Sequence, residues 1–230
     1  MDDSLVDPRW KDLYKLAGIA AVVSELVILF GIVAYIIWPY APGSKTTEEI
    51  LRLLQSDPLQ GLVSLDLFLL IGNLFSVFLF LALYVSLRPV NPSYALVALV
   101  VGLIGLVLLI PARPIVELFA LSRQYADATT DAASSQALDA SDALLALFDG
   151  TNWFMNTLLG ALSLLTSSLL MLRSTTYSKA TAYAGIFTNA VVCGFFIPTL
   201  GKFLLFLSLP GYMIWYFLLA KRFLQMGRDN

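Results

Sequence analysis

The sequence predicts an all-α membrane protein, a polytopic transmembrane helical bundle of about six spans with both termini in the cytoplasm. The first observation behind this prediction is composition: the 230-residue chain is 59% hydrophobic and 13% charged, with a mean hydropathy of +0.81. Soluble domains are about 45–50% apolar and about 25% charged. This chain therefore lacks the polar side chains that would cover a globule of its size in water, and we expect lipid to solvate its apolar surface.

The second observation is a set of six long apolar stretches. A membrane-spanning helix needs roughly 17–25 predominantly apolar residues. We place the spans at about residues 16–38, 62–87, 94–119, 152–172, 181–200 and 203–220, all within a single transmembrane domain of residues 1–230. Only Gly201 and Lys202 separate the last two stretches, which are predicted either as two spans or as one re-entrant pair.

The third observation is the distribution of Lys and Arg, which sets the orientation of helical membrane proteins. With both termini inside, the inner segments carry nine and the outer segments five of the 14 Lys and Arg residues. The short inner turn from Arg173 to Lys179 strengthens the bias, because short loops carry the most weight. The sequence shows no targeting features, so we expect a multi-pass protein of the prokaryotic plasma membrane.

Two outer segments are predicted to have structure of their own. Thr46-Thr47-Glu48-Glu49 has the pattern of a capping box and predicts a short helix over about residues 47–55, whose apolar side is expected to lie in the membrane interface. The outer loop of about residues 124–150 is rich in Ala, Ser and Asp, and its second half predicts another helix that leads into the fourth span.

The composition argues against several kinds of ligand and catalytic site. The net charge of −2 and the lack of a basic run argue against nucleic acid as a partner. There is no histidine, which removes the commonest general base and metal ligand. The single cysteine, Cys193, leaves no intrachain disulfide. We therefore predict no catalytic residue, no metal site and no cofactor.

Charged side chains within the predicted spans each need a physical reason, because one at a helix centre costs about 2.5–3.5 kcal/mol on insertion scales. These side chains are Glu25, Asp66, Arg113 and Glu117. Prolines on both sides of Arg113, at positions 111 and 114, predict a kink in the third span.

Uncharged polar residues recur at helical spacing and form stripes that should face other helices, since lipid cannot satisfy them. From these and the charged residues we predict a polar pocket that opens outward. The candidate ligand-binding residues are Glu25, Asp66, Asn73, Arg113, Glu117, Asn152, Asn156 and Asn189.

Simpler interpretations stay open for each of these residues. Small and amide residues at helical spacing also make packing contacts between helices. In these interpretations Arg113 pairs with Glu117 four residues later or extends to the headgroups, and Asp66 is a surface residue if its span begins later. Glu25 is either protonated or paired across helices, and its most plausible partner is Arg113.

One segment resembles a known family. Leu83-Tyr84-Val85-Ser86-Leu87-Arg88-Pro89-Val90-Asn91, followed by an Ala/Leu/Val-rich span, is similar to the second inner loop of a group of uncharacterised prokaryotic membrane proteins, domain of unknown function 4386. The resemblance covers about residues 16–227 and implies the six-span fold without implying an activity. Members of the group often have a second acidic residue in the second span, where this chain offers Asn73 or Ser76.

Three functions are compatible with these features. The first is a bundle that binds or transports a small ligand, a lipid or a proton through the outward pocket. The second is an auxiliary or structural subunit of a larger membrane complex, indicated by the small-residue faces at Gly102/Gly105 and Gly160/Ser163. The third, ranked last, is an intramembrane enzyme that acts on lipids. Membrane lipids are the expected partners, together with a protein partner or a second copy of the chain.

Overall fold

The structure is a computed structural model that describes residues 7–228, apart from the side chain of Lys202. Within this range the regular structure is helical and contains no β-strand, which confirms the all-α prediction. The α-helices are α1 (Lys11–Ile37), α2 (Thr47–Ser56), α3 (Pro58–Ser64), α4 (Leu67–Leu87), α5 (Pro92–Ala112), α6 (Ile115–Ala126), α7 (Asp131–Leu145), α8 (Thr151–Met171), α9 (Lys179–Cys193) and α10 (Gly201–Met226).

Five helical segments of the described chain are long and apolar enough to cross a membrane. They are Pro8–Ile37, Leu67–Leu87, Pro92–Ala126, Asp131–Met171 and Phe203–Met226. They correspond to the first four predicted spans and the sixth. The fifth predicted span, residues 181–200, is instead the 15-residue helix α9 followed by a short 3-10 turn at Gly194–Phe196. A helix of this length rises only about 22 Å, less than the roughly 30 Å of a bilayer core.

Two predicted spans are interrupted helices. The second is divided between α3 and α4 at Leu65 and Asp66, and Asp66 has a left-handed backbone with φ of 70°. The third is divided between α5 and α6 at Arg113 and Pro114. The break in the third was expected from its prolines, because Pro lacks the N–H that continues a helix and disfavours a helical conformation at the residue before it.

The two segments that we predicted outside the membrane follow the structural prediction in part. The capping box at α2 is present: Glu49 N donates to Thr46 Oγ1 at 3.3 Å, and Thr46 N donates to Glu49 Oε2 at 2.8 Å. The apolar side of α2 does not face lipid, which corrects the prediction, because Ile50 and Leu54 are buried in a core shared with α6. Helix α7 fills more of the 124–150 loop than its predicted second half, since it begins at residue 131.

The chain divides into two compact units. The first comprises Met1–Leu26, Asn73–Val107 and Met155–Asn230, and the second comprises Val27–Gly72 and Leu108–Phe154.

The first unit has an aromatic core where α1 begins and α10 ends. Tyr14 stacks on Phe223 with ring centroids 6.2 Å apart, and Tyr177 meets Phe223 edge-on, also at 6.2 Å. The Tyr177 hydroxyl is 2.6 Å from Ser86 Oγ near the end of α4. These contacts bring the ends of α4 and α10 to the starts of α1 and α9, as expected for helices that alternate in direction.

Candidate functional site

The second unit contains a buried ion pair between Asp66 and Arg113. Arg113 Nε donates to Asp66 Oδ2 at 2.6 Å, and the two side chains are 2% (Arg113) and 10% (Asp66) exposed. Glu117, the alternative partner within the same helical stretch, is exposed. The alternatives in which Asp66 is a surface residue and Arg113 pairs with Glu117 or extends to the headgroups are therefore wrong.

The two helix breaks place these charges at helix ends. Asp66 immediately precedes α4, and its main-chain carbonyl accepts from Leu70 N at 3.1 Å as the first bond of that helix. Arg113 immediately follows α5, and its Nη1 donates to the Ala112 carbonyl at 2.9 Å. Helix dipoles favour an anion at a helix N-terminus and a cation at a C-terminus. The start of α4 therefore favours Asp66 and the end of α5 favours Arg113, while the adjoining ends of α3 and α6 act in the opposite sense.

Further groups complete the hydrogen bonding of the Asp66–Arg113 pair. The Tyr35 hydroxyl donates to Asp66 Oδ1, and Arg113 Nη1 also donates to the Phe148 carbonyl at 3.0 Å. The guanidinium lies over the rings of Trp153 and Phe148, with its central carbon 4.3 Å and 5.0 Å from the ring centroids. Buried charges persist when their hydrogen bonds are met in this way, and aromatic faces attract cations.

Tyr40 belongs to the same neighbourhood and lies three residues after the end of α1. Burial, reinforced by the negative charge of Asp66, raises the pKa of the Tyr40 hydroxyl. This hydroxyl therefore remains protonated at neutral pH and is available as a hydrogen-bond donor beside the carboxylate.

The predicted asparagines make packing contacts in the first unit. Asn73 Nδ2 on α4 donates to the Leu106 carbonyl, and Asn156 Nδ2 on α8 donates to the Gly105 carbonyl, both at 2.9 Å. Asn189 Nδ2 donates to the Gly185 carbonyl of its own helix at 2.8 Å, and its Oδ1 accepts from Tyr212 at 3.1 Å. These bonds hold helices together, and a role for the three amides in ligand binding stays a prediction.

The remaining predicted residues are Glu25, Asn152 and Glu117. Glu25 is half-buried in the first unit and forms no hydrogen bond or ion pair with the residues that the structure describes. Arg113, its predicted partner, is bonded to Asp66 instead. Asn152 is half-buried and Glu117 is exposed, both in the second unit. The ligand-binding role proposed for these residues stays a prediction.

Three residues of the site were not predicted from the sequence: Tyr35, Phe148 and Trp153. Tyr35 and Trp153 lie close to predicted span ends, where aromatic side chains are common for reasons of membrane anchoring alone. Phe148 contributes through its main-chain carbonyl and ring, and neither has a sequence signal. Only the long-range contacts of the fold bring these three residues to the ion pair.

A second polar cluster occupies the surface of the second unit. Glu48 Oε1 accepts from Arg52 at 2.6 Å and from the Tyr125 hydroxyl at 2.8 Å, and Gln55 donates to Ser122 at 2.7 Å. An open cleft of about 540 Å³ is lined by Arg52, Gln55 and Tyr125, among others. Within residues 7–228, no group of three or more Asp, Glu or Cys side chains is placed to hold a metal ion.

The fold and this site together define an all-α transmembrane bundle that carries buried opposite charges at the interruptions of two of its helices. The family described as Domain of unknown function (DUF4386) matches residues 15–227, and the chain belongs to this family. The family resemblance drawn from the Leu-Arg-Pro-Val-Asn turn is thereby confirmed. No curated protein and no solved structure matches the chain.

Proposed function

We propose that this protein binds a small anionic ligand within the outer half of the membrane and transports it, with Arg113 as the ligand-binding residue. The observation that carries the proposal is the position of the Asp66–Arg113 pair at the breaks that end α5 and begin α4. In many transporters, ligand and ion sites are formed where spanning helices are discontinuous, because helix ends supply charge and unpaired main-chain groups there.

The chemistry of Arg113 supports an anion as the ligand. A guanidinium binds carboxylate and phosphate groups through two parallel N–H bonds, and a buried one does so in a medium that strengthens the interaction. In this structure Asp66 Oδ2 accepts a single hydrogen bond from Arg113 Nε. An incoming anion would replace Asp66 as the partner of the guanidinium, so the two anionic groups compete for Arg113.

The test is anion binding to the purified protein in lipid nanodiscs, measured by calorimetry with acetate, succinate, glutamate and inorganic phosphate as probes. We expect at least one of these anions to bind, and Arg113→Gln to weaken that binding at least tenfold. Asp66→Asn should strengthen it, because the competing charge is removed while Asn tolerates the left-handed backbone of this position. Arg123→Gln is the matched control, since Arg123 is an exposed arginine of α6 outside the site. Absence of any Arg113-dependent binding by folded protein would contradict the proposal.

The alternative of an auxiliary subunit rests on small-residue faces that the chain itself covers. A Cβ added at Gly105 would lie 3.2 Å from Gly160 N, and one added at Gly102 would lie 2.7 Å from Ser163 Oγ. These faces of α5 and α8 pack on each other, so they are not by themselves evidence for a partner protein. We therefore favour binding and transport over the structural role.

A further inference from the structure

A cleft of about 250 Å³ in the first unit is lined by two arginines and a tryptophan: Arg9, Trp10 and Arg88. Arg9 and Trp10 form the short turn before α1, and Arg88 directly follows the last residue of α4. This cleft is independent of the anion site proposed at Arg113, because the cleft belongs to the first unit and Arg113 to the second.

Within residues 7–228, the two positive charges of this cleft are only partly balanced. Arg9 bonds to Asp7 through Nε at 3.0 Å and 3.1 Å and through Nη2 at 2.8 Å, and its Nη1 has no hydrogen bond to another described residue. Arg88 forms no ion pair within the described part of the chain. Among the described carboxylates, Asp7 alone is bonded to these two guanidinium groups, and several N–H donors are open to a ligand.

Contacts with Trp10 hold Arg88 at the cleft. The central carbon of its guanidinium lies 5.5 Å from the centroid of the Trp10 ring, a distance at which the ring attracts the cation. The main chain of Arg88 is also fixed, since its N–H donates to the Tyr84 carbonyl at 2.9 Å. A positioned guanidinium loses less freedom on binding than a mobile one, and its planar fork fits the oxygens of a phosphate group.

Helix α1, which follows Trp10 directly in the chain, exposes apolar side chains. Leu16, Ile19 and Leu26 on α1 are 48%, 46% and 46% exposed. Leu16 and Ile19 lie roughly 9–14 Å along the helix from Trp10, at a rise of 1.5 Å per residue. Tryptophan is characteristic of the level of the lipid headgroups, and anionic lipids attract cations at the cytoplasmic surface. A lipid with its phosphate in the cleft would therefore lay its acyl chains against these side chains.

We propose that the cleft between Arg9, Trp10 and Arg88 is a binding site for the phosphate group of an anionic phospholipid. The same donors would bind free phosphate, but a free ion makes no use of the apolar surface of α1.

The experiment titrates the full-length protein in detergent with three probes: short-chain phosphatidylglycerol, short-chain phosphatidylcholine and inorganic phosphate. Binding is measured by calorimetry on the wild type, Arg9→Gln/Arg88→Gln, Arg88→Lys and Arg173→Gln. Arg173 is the matched control, because it is an exposed arginine that our topology places on the same side of the membrane, outside the cleft. Circular dichroism and thermal unfolding establish that each variant is folded.

We expect phosphatidylglycerol to bind at least tenfold more tightly than either of the other probes. The double variant should lose at least tenfold in affinity for phosphatidylglycerol. Arg88→Lys should lose part of that affinity, because an ammonium group lacks the planar fork of a guanidinium. Arg173→Gln should bind as tightly as the wild type. Equal affinity of the folded double variant and the wild type for phosphatidylglycerol would overturn the site. Inorganic phosphate that binds as tightly as the lipid, and depends on the same arginines, would overturn the lipid assignment.

Discussion

At the scale of single residues, the arrangement around Asp66 meets the requirements of a charge held away from water. One carboxylate oxygen accepts from Tyr35 and the other from Arg113, while Arg113 Nη1 is shared between two main-chain carbonyls. When a buried charge loses a hydrogen-bond partner, its desolvation cost is no longer offset by that hydrogen bond. Small changes to the partners should therefore have measurable effects on stability.

Tyr35→Phe tests the contribution of the tyrosine hydroxyl. The change removes the donor to Asp66 Oδ1 and leaves that oxygen buried without a partner. We expect the free energy of unfolding to fall by about 1–3 kcal/mol, measured by denaturant unfolding in bicelles. Tyr183→Phe is the control, because Tyr183 is 62% exposed, and should change stability by less than about 0.5 kcal/mol. Equal effects of the two variants would mean that the Tyr35 hydroxyl is not stabilising the carboxylate.

At the scale of elements, α5 and its neighbours show how polar groups and small residues hold apolar helices together. The Gly105 and Leu106 carbonyls accept amide hydrogen bonds from α8 and α4. Close approach is allowed by glycine, since a Cβ at Gly102 would overlap Phe80 and the Ser163 hydroxyl. Lipid provides no hydrophobic drive for helix association, so contacts of this kind decide the packing.

Gly102→Ala tests this packing. Because the added methyl group meets Phe80 and Ser163, we expect a loss of about 1–3 kcal/mol in the free energy of unfolding, as for other overpacked cores. Gly160→Ala is the matched control: a Cβ there meets nothing within 4 Å, and alanine is the better helix former. The same denaturant unfolding experiment separates the two. A Gly160→Ala variant as unstable as Gly102→Ala would contradict the packing described.

The start of α2 should respond to pH through Glu49. The hydrogen bond from Thr46 N lowers the pKa of Glu49 from its ordinary value of 4.5. A carboxyl group with a lowered folded-state pKa stabilises the helix above its unfolded-state value, and that stabilisation is lost as the pH falls through the folded-state pKa. We expect the protection of the Thr46 amide, which donates to Glu49 Oε2, to fall below about pH 4.5 when its exchange rate is compared with the intrinsic rate at each pH, and Glu49→Gln to remove this dependence. Protection of the Thr46 amide that still falls on acidification in Glu49→Gln would refute the assignment.

The elements differ in how far the sequence predicts them. Long apolar runs predict the spanning helices α1, α8 and α10, because length and composition suffice for such helices. The proline at position 114 predicts the break before α6. The break at Leu65 and Asp66 contains neither Pro nor Gly, so the sequence does not predict it. The pairing of Asp66 with Arg113 joins residues 47 positions apart, and only the packing of the helices determines it.

At the scale of the whole molecule, the sequence predicts a two-sided topology. The Lys and Arg distribution predicts that the turn between α8 and α9 lies in the cytoplasm and that the segment containing α7 lies outside.

Cysteine labelling tests this topology. In a Cys193→Ser background, which removes the only native thiol, Ser135→Cys on α7 and Thr175→Cys in the turn after α8 are both exposed positions. We expect a membrane-impermeant maleimide to label Ser135→Cys in intact cells and Thr175→Cys only after permeabilisation. The reverse pattern would invert the orientation, and labelling of both positions in intact cells would exclude the alternation of spans.

The most direct test of the central claim is a double-mutant cycle on the free energy of unfolding with Asp66→Asn and Arg113→Gln in bicelles. Each single change leaves a buried charge unpaired and should cost about 3–5 kcal/mol. We predict that the double variant is at least about 1–2 kcal/mol more stable than the sum of the single effects. The control cycle of Asp66→Asn with Arg123→Gln should be additive within about 0.5 kcal/mol. Additivity in both cycles would show that Asp66 and Arg113 are not a coupled pair in the membrane.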